Sequence, residues 1–272
     1  MVANHYWFIR KKLHLWVLRY SEKVNLEKVE KMKAVAINSS PNMGEGNTAL
    51  VLDPFLEGMR EVGAEVELFY TKKLKINPCQ GELNCWLKTP GKCFQKDDMQ
   101  MFLPKITEAD ILVLATPVYV DGVTGPMKNM LDRIIPLAQP FFELRDGHCR
   151  HPARPGSTSR QLVLVSNCGF WETDNFNPLL IHLEAICKNM GNEFAGALLR
   201  PHGLALKIMM EMGMPVNDIF DAAKKAGRQL VKDSKMSPET LKGVSRELLP
   251  LQMYVGIVNQ KFRESLDLLE KK

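Results

Sequence analysis

Between Asp110 and Ala115 the chain reads Asp-Ile-Leu-Val-Leu-Ala, a strand-length segment that is apolar on both faces. A strand without alternation must be covered from both sides, which places it in the middle of a parallel sheet. Parallel neighbours need helical crossovers, and the flanking sequence supplies them. Strands are expected at 33–38, 64–70, 110–115, 161–166 and 193–199. Between them, Leu52, Phe55, Leu56 and Met59 recur at helical spacing in a helix over 49–62, with Pro54 expected to kink or loosen it. Further helices are expected from Asp98, read as a cap, to Thr107, from Gly125 to Leu137, and from Pro178 to Met190. Five β–α units in succession predict an α/β fold, a doubly wound five-stranded parallel sheet with right-handed crossovers.

Ligands of such sheets bind beyond the carboxyl ends of the strands, at the switch in strand order. Three strand ends here carry polar, glycine-bearing loops, at 39–48, 116–122 and 166–171, and their strands would bring them to one crevice. The first runs Ser39-Ser40-Pro41-Asn42-Met43-Gly44-Glu45-Gly46-Asn47-Thr48 into a helix. Free backbone N–H groups and the positive end of the helix dipole make such a junction an anion site. The loop has side-chain donors but no Lys or Arg, which suits one phosphate better than a triphosphate with its metal. The Walker sequence is absent, and Gly44-Glu45-Gly46 completes no dinucleotide fingerprint. The competing reading of this stretch alone is an Asn-capped helix.

Charge sharpens the function class. The net charge of +5 comes entirely from residues 1–33, so residues 34–272 are balanced and make no electrostatic case for nucleic acid. Within residues 1–31, Tyr6, Ile9, Leu13, Trp16 and Tyr20 form a stripe among basic residues. That segment reads as an extra packed helix or the product of an upstream start codon, and membrane contact through residues 5–20 is not expected. Six cysteines in 272 residues form no disulfide framework, which with the lack of a secretion signal predicts a cytoplasmic protein. Phe141 to Arg150 reads as a hairpin about Asp146-Gly147, and the chain beyond 199 as helical. His148, His151 and His182 show no ligand spacing.

The three loops and their spacing resemble the flavodoxin-fold NAD(P)H-dependent FMN reductase family, particularly the branch that contains the iron–sulfur flavoproteins. The resemblance rests on Ser39-Ser40-Pro41 with Gly46-Asn47-Thr48, on Thr116-Pro117-Val118-Tyr119 with Gly125-Pro126-Met127-Lys128, and on Ser166-Asn167-Cys168-Gly169-Phe170. It implies a flavodoxin-like FMN-binding domain over 32–205, flanked by an N-terminal extension over 1–31 and a C-terminal helical extension over 206–272. It further implies that Ser39, Ser40, Asn42, Gly46, Asn47 and Thr48 hold the FMN phosphate. Pro117, Val118, Tyr119, Val120 and Gly122 would lie along the ribityl chain and ring, and Asn167, Cys168, Gly169 and Phe170 would close the other edge. Tyr119, Phe170 and Trp171 are candidate walls for the ring, with plain packing as the alternative. Asp121 and Lys128 are either polar neighbours of the flavin or part of a solvated helix start.

The chain departs from that branch at its cysteines. Where the branch resembles Cys-x-x-Cys-x-x-Cys followed by a fourth Cys, this sequence has Cys79, Glu82, Cys85 and then Cys93. No bound metal is expected; Cys168 reads as a packing residue and Cys187 as core. The resemblance implies an enzyme that takes hydride from NAD(P)H onto bound FMN and passes electrons to a small acceptor such as a flavin or quinone. No side chain is assigned as a dedicated catalytic acid or base. The alternative is a flavodoxin-like or iron–sulfur flavoprotein electron carrier without NAD(P)H activity of its own. A homo-oligomer is expected, with the 141–150 hairpin and the 214–272 helices available to wall a neighbour's crevice.

Overall fold

The apolar segments form the sheet they predict. The structure, a computed structural model, describes residues 31–157 and 159–270; the readings of the N-terminal segment lie outside these. Strands β1 (Lys33–Asn38), β2 (Glu65–Tyr70), β3 (Ile111–Pro117), β6 (Gln161–Asn167) and β7 (Glu193–Arg200) form one parallel five-stranded sheet in the order β2-β1-β3-β6-β7. Strands β4 (Glu143–Arg145) and β5 (His148–Arg150) form a separate antiparallel hairpin about Asp146-Gly147. With that hairpin set aside the order is 2-1-3-4-5, the flavodoxin-like doubly wound arrangement, with its switch between β1 and β3.

The helices are α1 (Asn47–Glu61), α2 (Asn84–Leu87), α3 (Met99–Glu108), α4 (Gly125–Asp132), α5 (Asn177–Met190), α6 (Gly203–Glu211), α7 (Asn217–Asp233), α8 (Pro238–Val244) and α9 (Leu251–Glu270). One face of the sheet packs on α1, α7 and α8 through Leu52, Phe55, Ala223, Leu230 and Val244. The other packs on α3, α4 and α5 through Phe102, Met127, Met130, Leu179 and Leu183. Helix α7, in the segment read as an extension from 206, thus lies in the main core beside α1. The two cross so closely that a Cβ on Gly58 would stand 1.9 Å from the Lys224 carbonyl oxygen, and one on Gly227 2.0 Å from that of Phe55.

Helix α1 carries Pro54 inside it. Two local expectations need correction. The helix expected to reach Leu137 ends at Asp132, because Pro136 has no N–H to continue it; a short 3₁₀ turn over Ile135–Leu137 follows. Asp98 makes no side-chain cap on α3. Its carboxylate accepts from the Lys75 N–H instead, while Asp97 accepts from the Met99 N–H. Among the described residues no helix is long and apolar enough to cross a membrane.

Candidate functional site

The loop after β1 is shaped from within and left open at its helix. Ser39 is spent on the frame: its N–H and hydroxyl both donate to the Ala115 carbonyl, at 2.8 and 3.2 Å. The Asn38 side chain accepts from the Ser40 N–H at 2.9 Å and donates to the Met43 carbonyl at 3.3 Å, folding the turn back on itself. Gly46 is the N-cap of α1, in extended conformation, with no side-chain cap. The Asn-capped reading is therefore not what the chain adopts. The amides of Asn42, Gly44, Asn47 and Thr48 take no partner among the described residues. A Cβ on Gly46 would stand 2.6 Å from the Ser40 hydroxyl, so only glycine leaves this cradle open.

The second loop leaves β3 at Pro117 and closes in a two-residue turn. Tyr119 and Gly122 exchange both backbone hydrogen bonds, at 3.1 and 3.2 Å, and Val120 and Asp121 between them have φ of 48° and 61°. Positive φ at both central residues is the hairpin turn that favours Asn-Gly, and a β-branched residue is strained there. Val120 is fully exposed at its tip.

The third loop is fixed by its neighbours. The Val118 N–H donates to the Asn167 carbonyl at 2.9 Å, and the Thr48 hydroxyl to the Asn167 side-chain oxygen at 2.6 Å, so Asn167 touches both other loops. Cys168 is buried, its N–H on the Arg200 carbonyl, and burial raises its thiol pKa. Phe170 stands exposed, whereas the Trp171 indole is committed to the Leu249 carbonyl at 2.8 Å and stacks on His202. Trp171 is thus a packing residue. The C-terminal segment returns here: Tyr254 donates to the Gly169 carbonyl, and the Leu248 N–H to the His202 ring at 3.0 Å.

The predicted residues fall into two hollows with a shared frame. Val118, Tyr119, Val120, Cys168, Gly169 and Phe170 line a crevice of about 510 Å³, joined by Asp121 and Asn175. Asn42, Gly46 and Asn47 line one of about 330 Å³, closed by Lys207 of α6 and Lys261 of α9. Ser39, Pro117 and the Thr48–Asn167 pair belong to the buried frame, and Gly122 to the turn. Lys128 pairs with Asp132 one turn on, as in a solvated helix. Sequence reasoning missed Lys207 and Lys261, the basic groups absent from the loop itself, because they arrive from helices far along the chain.

Comparison with known proteins places part of the chain beside a known family. Residues 32–146 match the family model described as NADPH-dependent FMN reductase. The matched segment carries the first two loops; the third lies beyond it. An iron-sulfur flavoprotein of Archaeoglobus fulgidus is 41% identical over 102 residues, covering 38% of this chain and 48% of that protein. One from Methanocaldococcus jannaschii is 39% identical over 115 residues, covering 42% and 58%. The chain thus spans about half the length of the curated relatives it matches. The fold is similar to an FMN-dependent NADH-azoreductase from Bacillus anthracis (TM-score 0.53, 14% identity, 74% of this chain and all of that one). It is also similar to an NAD(P)H:quinone oxidoreductase from Methanothermobacter marburgensis (TM-score 0.51, 16% identity, 74% and 97%).

Proposed function

We propose that this chain is an FMN-dependent oxidoreductase that takes electrons from NAD(P)H and passes them to a small acceptor such as a flavin or quinone. The observation that carries this reading is the uncapped start of α1. Free amides at Asn47 and Thr48, the dipole of a 15-residue helix and the space above Gly46 together suit a terminal phosphate. Ser40, Asn42, Gly46, Asn47 and Thr48 would hold that phosphate; Val118 to Gly122 and Asn167 to Phe170 would flank the ring. Bound there, FMN would supply the hydride-accepting chemistry, and the chain's part is binding and orientation. Tyr119 and Phe170, both exposed at the crevice, offer aromatic faces to a planar ligand. The buried Cys168 thiol, with its raised pKa, is a neutral neighbour rather than a nucleophile.

The second reading, an iron–sulfur electron carrier, is favoured by the names of the relatives and tested by the cysteines. Cys79, Cys85 and Cys93 lie near one another: burial raises the Cys85 thiol pKa, and Glu82, Cys93 and Cys79 add to it. A four-iron cluster takes four thiolates, and three fall short. Cys93 is moreover engaged by Arg133 at 3.4 Å, and no described group of three or more His, Cys, Asp or Glu side chains is arranged to hold a metal ion. Such a cysteine set falls short of the cluster's four thiolates, which supports direct transfer from flavin to acceptor over a built-in one-electron relay.

Anaerobic purification with flavin, iron and acid-labile sulfide assays on one sample, followed by steady-state NAD(P)H oxidation, tests both readings. Flavin without iron, with turnover on free flavin or quinone, is expected. Stoichiometric iron and sulfide, or flavin without turnover, moves the protein to the carrier class. A colourless protein that FMN does not stabilise thermally ends both.

The same proposal includes a homo-oligomer. Phe141, Phe142 and Leu144 on the hairpin, with Phe262, Leu266 and Leu269 on α9, are exposed apolar side chains available to a second copy. Sedimentation of the full chain decides this, and a fully active monomer removes it.

A further inference from the structure

At the opposite end of the sheet from the crevice, a cavity of about 260 Å³ lies where the chain enters β6. It is bounded by the β4–β5 hairpin, the loop before Arg160 and the turn after α5. Arg145, His151, Ser157, Ser159, Arg160 and Asn192 bring polar groups to it.

Three arginines are buried in this fold, and two are held by several short hydrogen bonds. Arg133 pairs with Asp97 through both terminal nitrogens, at 2.7 and 3.0 Å, which leaves only its Nε without a partner. Arg200 donates from Nε, Nη1 and Nη2 to the carbonyls of Pro201, Val244 and Arg246. Arg160 has no such company. It is 6% exposed, Nη2 reaches only the Thr107 carbonyl at 3.5 Å, and Nε is sealed from water without a partner. Nη1 takes no partner among the described residues. A buried guanidinium with one long hydrogen bond is costly unless an anion completes it.

Arg160 leaves the cavity one unpaired positive charge. Arg145 also lines it, its own charge paired at 2.6 Å with the only lining carboxylate, Glu143, and its Nη2 also reaching the His151 carbonyl at 3.4 Å. Arg145 also donates to the Lys188 carbonyl at 3.3 Å, near the end of α5. The hydroxyls of Ser157 and Ser159 and the Asn192 amide add neutral donors. At about 260 Å³ the hollow is smaller than the roughly 300 Å³ at which cofactor pockets begin, and suits a small ion.

We propose that this cavity binds a small oxyanion, a phosphate or carboxylate group, on the guanidinium of Arg160, with the Arg145–Glu143 pair as part of its wall. The site is separate from the 39–48 loop and independent of the reading of that loop. Its competitor is that both arginines merely cap helix ends.

Calorimetric titration of the full, FMN-saturated chain with inorganic phosphate or succinate, against sodium chloride of equal ionic strength, tests it. One ion per chain is expected, phosphate or succinate winning according to the group preferred. Arg160→Met should weaken binding about tenfold, the loss of one charge-assisted contact, and Arg145→Gln should weaken it as well, by leaving the Glu143 carboxylate unpaired against the anion. Asn47→Ala/Thr48→Ala should leave it unchanged whether or not that variant still takes up FMN. No binding by the wild type, or full binding by Arg160→Met, would overturn the proposal in favour of the helix caps. Binding lost only in Asn47→Ala/Thr48→Ala would overturn it too, placing the ion in the first loop. If Arg160→Met does not fold, Arg145→Gln at its half-exposed position, checked by circular dichroism, decides alone.

Discussion

The Thr48 hydroxyl donates to the Asn167 side-chain oxygen across 2.6 Å, joining residues 119 positions apart in the chain. Both are buried, so neither has water to fall back on. Thr48→Val keeps the shape and removes the donor, leaving the Asn167 oxygen unpaired at a cost of about 1–3 kcal/mol. Urea unfolding should register that loss. In Asn47→Ala/Thr48→Ala FMN should weaken more than riboflavin, because those two residues open the helix that would hold the phosphate. Equal weakening of the two flavins would place the phosphate elsewhere.

The crossing of α1 and α7 tolerates no side chain at Gly58 or Gly227. An alanine methyl at Gly227 would stand 2.0 Å from a carbonyl oxygen, which must move with its helix. Gly227→Ala should destabilise the protein by about 3 kcal/mol or more. Gly256→Ala in α9 has open space around its new methyl and should stabilise by up to about 1 kcal/mol. Chemical unfolding of the pair separates crowding from helix propensity.

His202 is buried, and that burial, with the charge of Arg200 second, lowers its pKa from 6.5 to about 4. The folded form therefore prefers the neutral ring, whose Nε2 accepts the Leu248 N–H. Its stabilising contribution is whole above pH 6.5 and is lost as pH falls toward 4, since the unfolded chain takes the proton first. Over that window the loss is about 3 kcal/mol. Unfolding free energies measured from pH 7 down to pH 4 should fall less steeply by that amount in His202→Gln. Identical slopes would show that His202 takes up its proton as readily in the folded protein as in the unfolded chain.

Val120 holds a left-handed conformation at full exposure, with nothing packed on it to repay the strain. Val120→Asn supplies the residue the turn favours. Thermal unfolding should rise by roughly 2–4 °C, the equivalent of about 1 kcal/mol in a domain of this size. An unchanged midpoint would mean that the unfolded chain or the ligand sets the preference for valine.

The sheet was legible because its evidence is local: the runs at 33–38, 110–115 and 161–166 carry their burial in their own composition. The three loops were legible for the same reason, each marked by glycine and polar residues just past a strand. Contacts made by backbone rather than by side-chain pattern were not. Gly58 and Gly227 leave no periodicity to read, so α7 passed for part of an extension although it lies in the core. Arg200 and His202 are buried polar residues whose partners include backbone groups of Val244, Arg246 and Leu248, tens of positions away, and Lys207 and Lys261 reach the first loop from distant helices. Asp97 and Asp98 stand side by side, and nothing local says which of them serves the helix.

The bonds from Leu248, Leu249 and Tyr254 to the region of Gly169 also set an order of assembly on the ribosome. The first and second loops have their frames once β6 has emerged, but the third is fastened by residues made roughly eighty positions later. When β6 is complete, every partner in the frames of the first two loops has been made, and the clasp of the third is still to come.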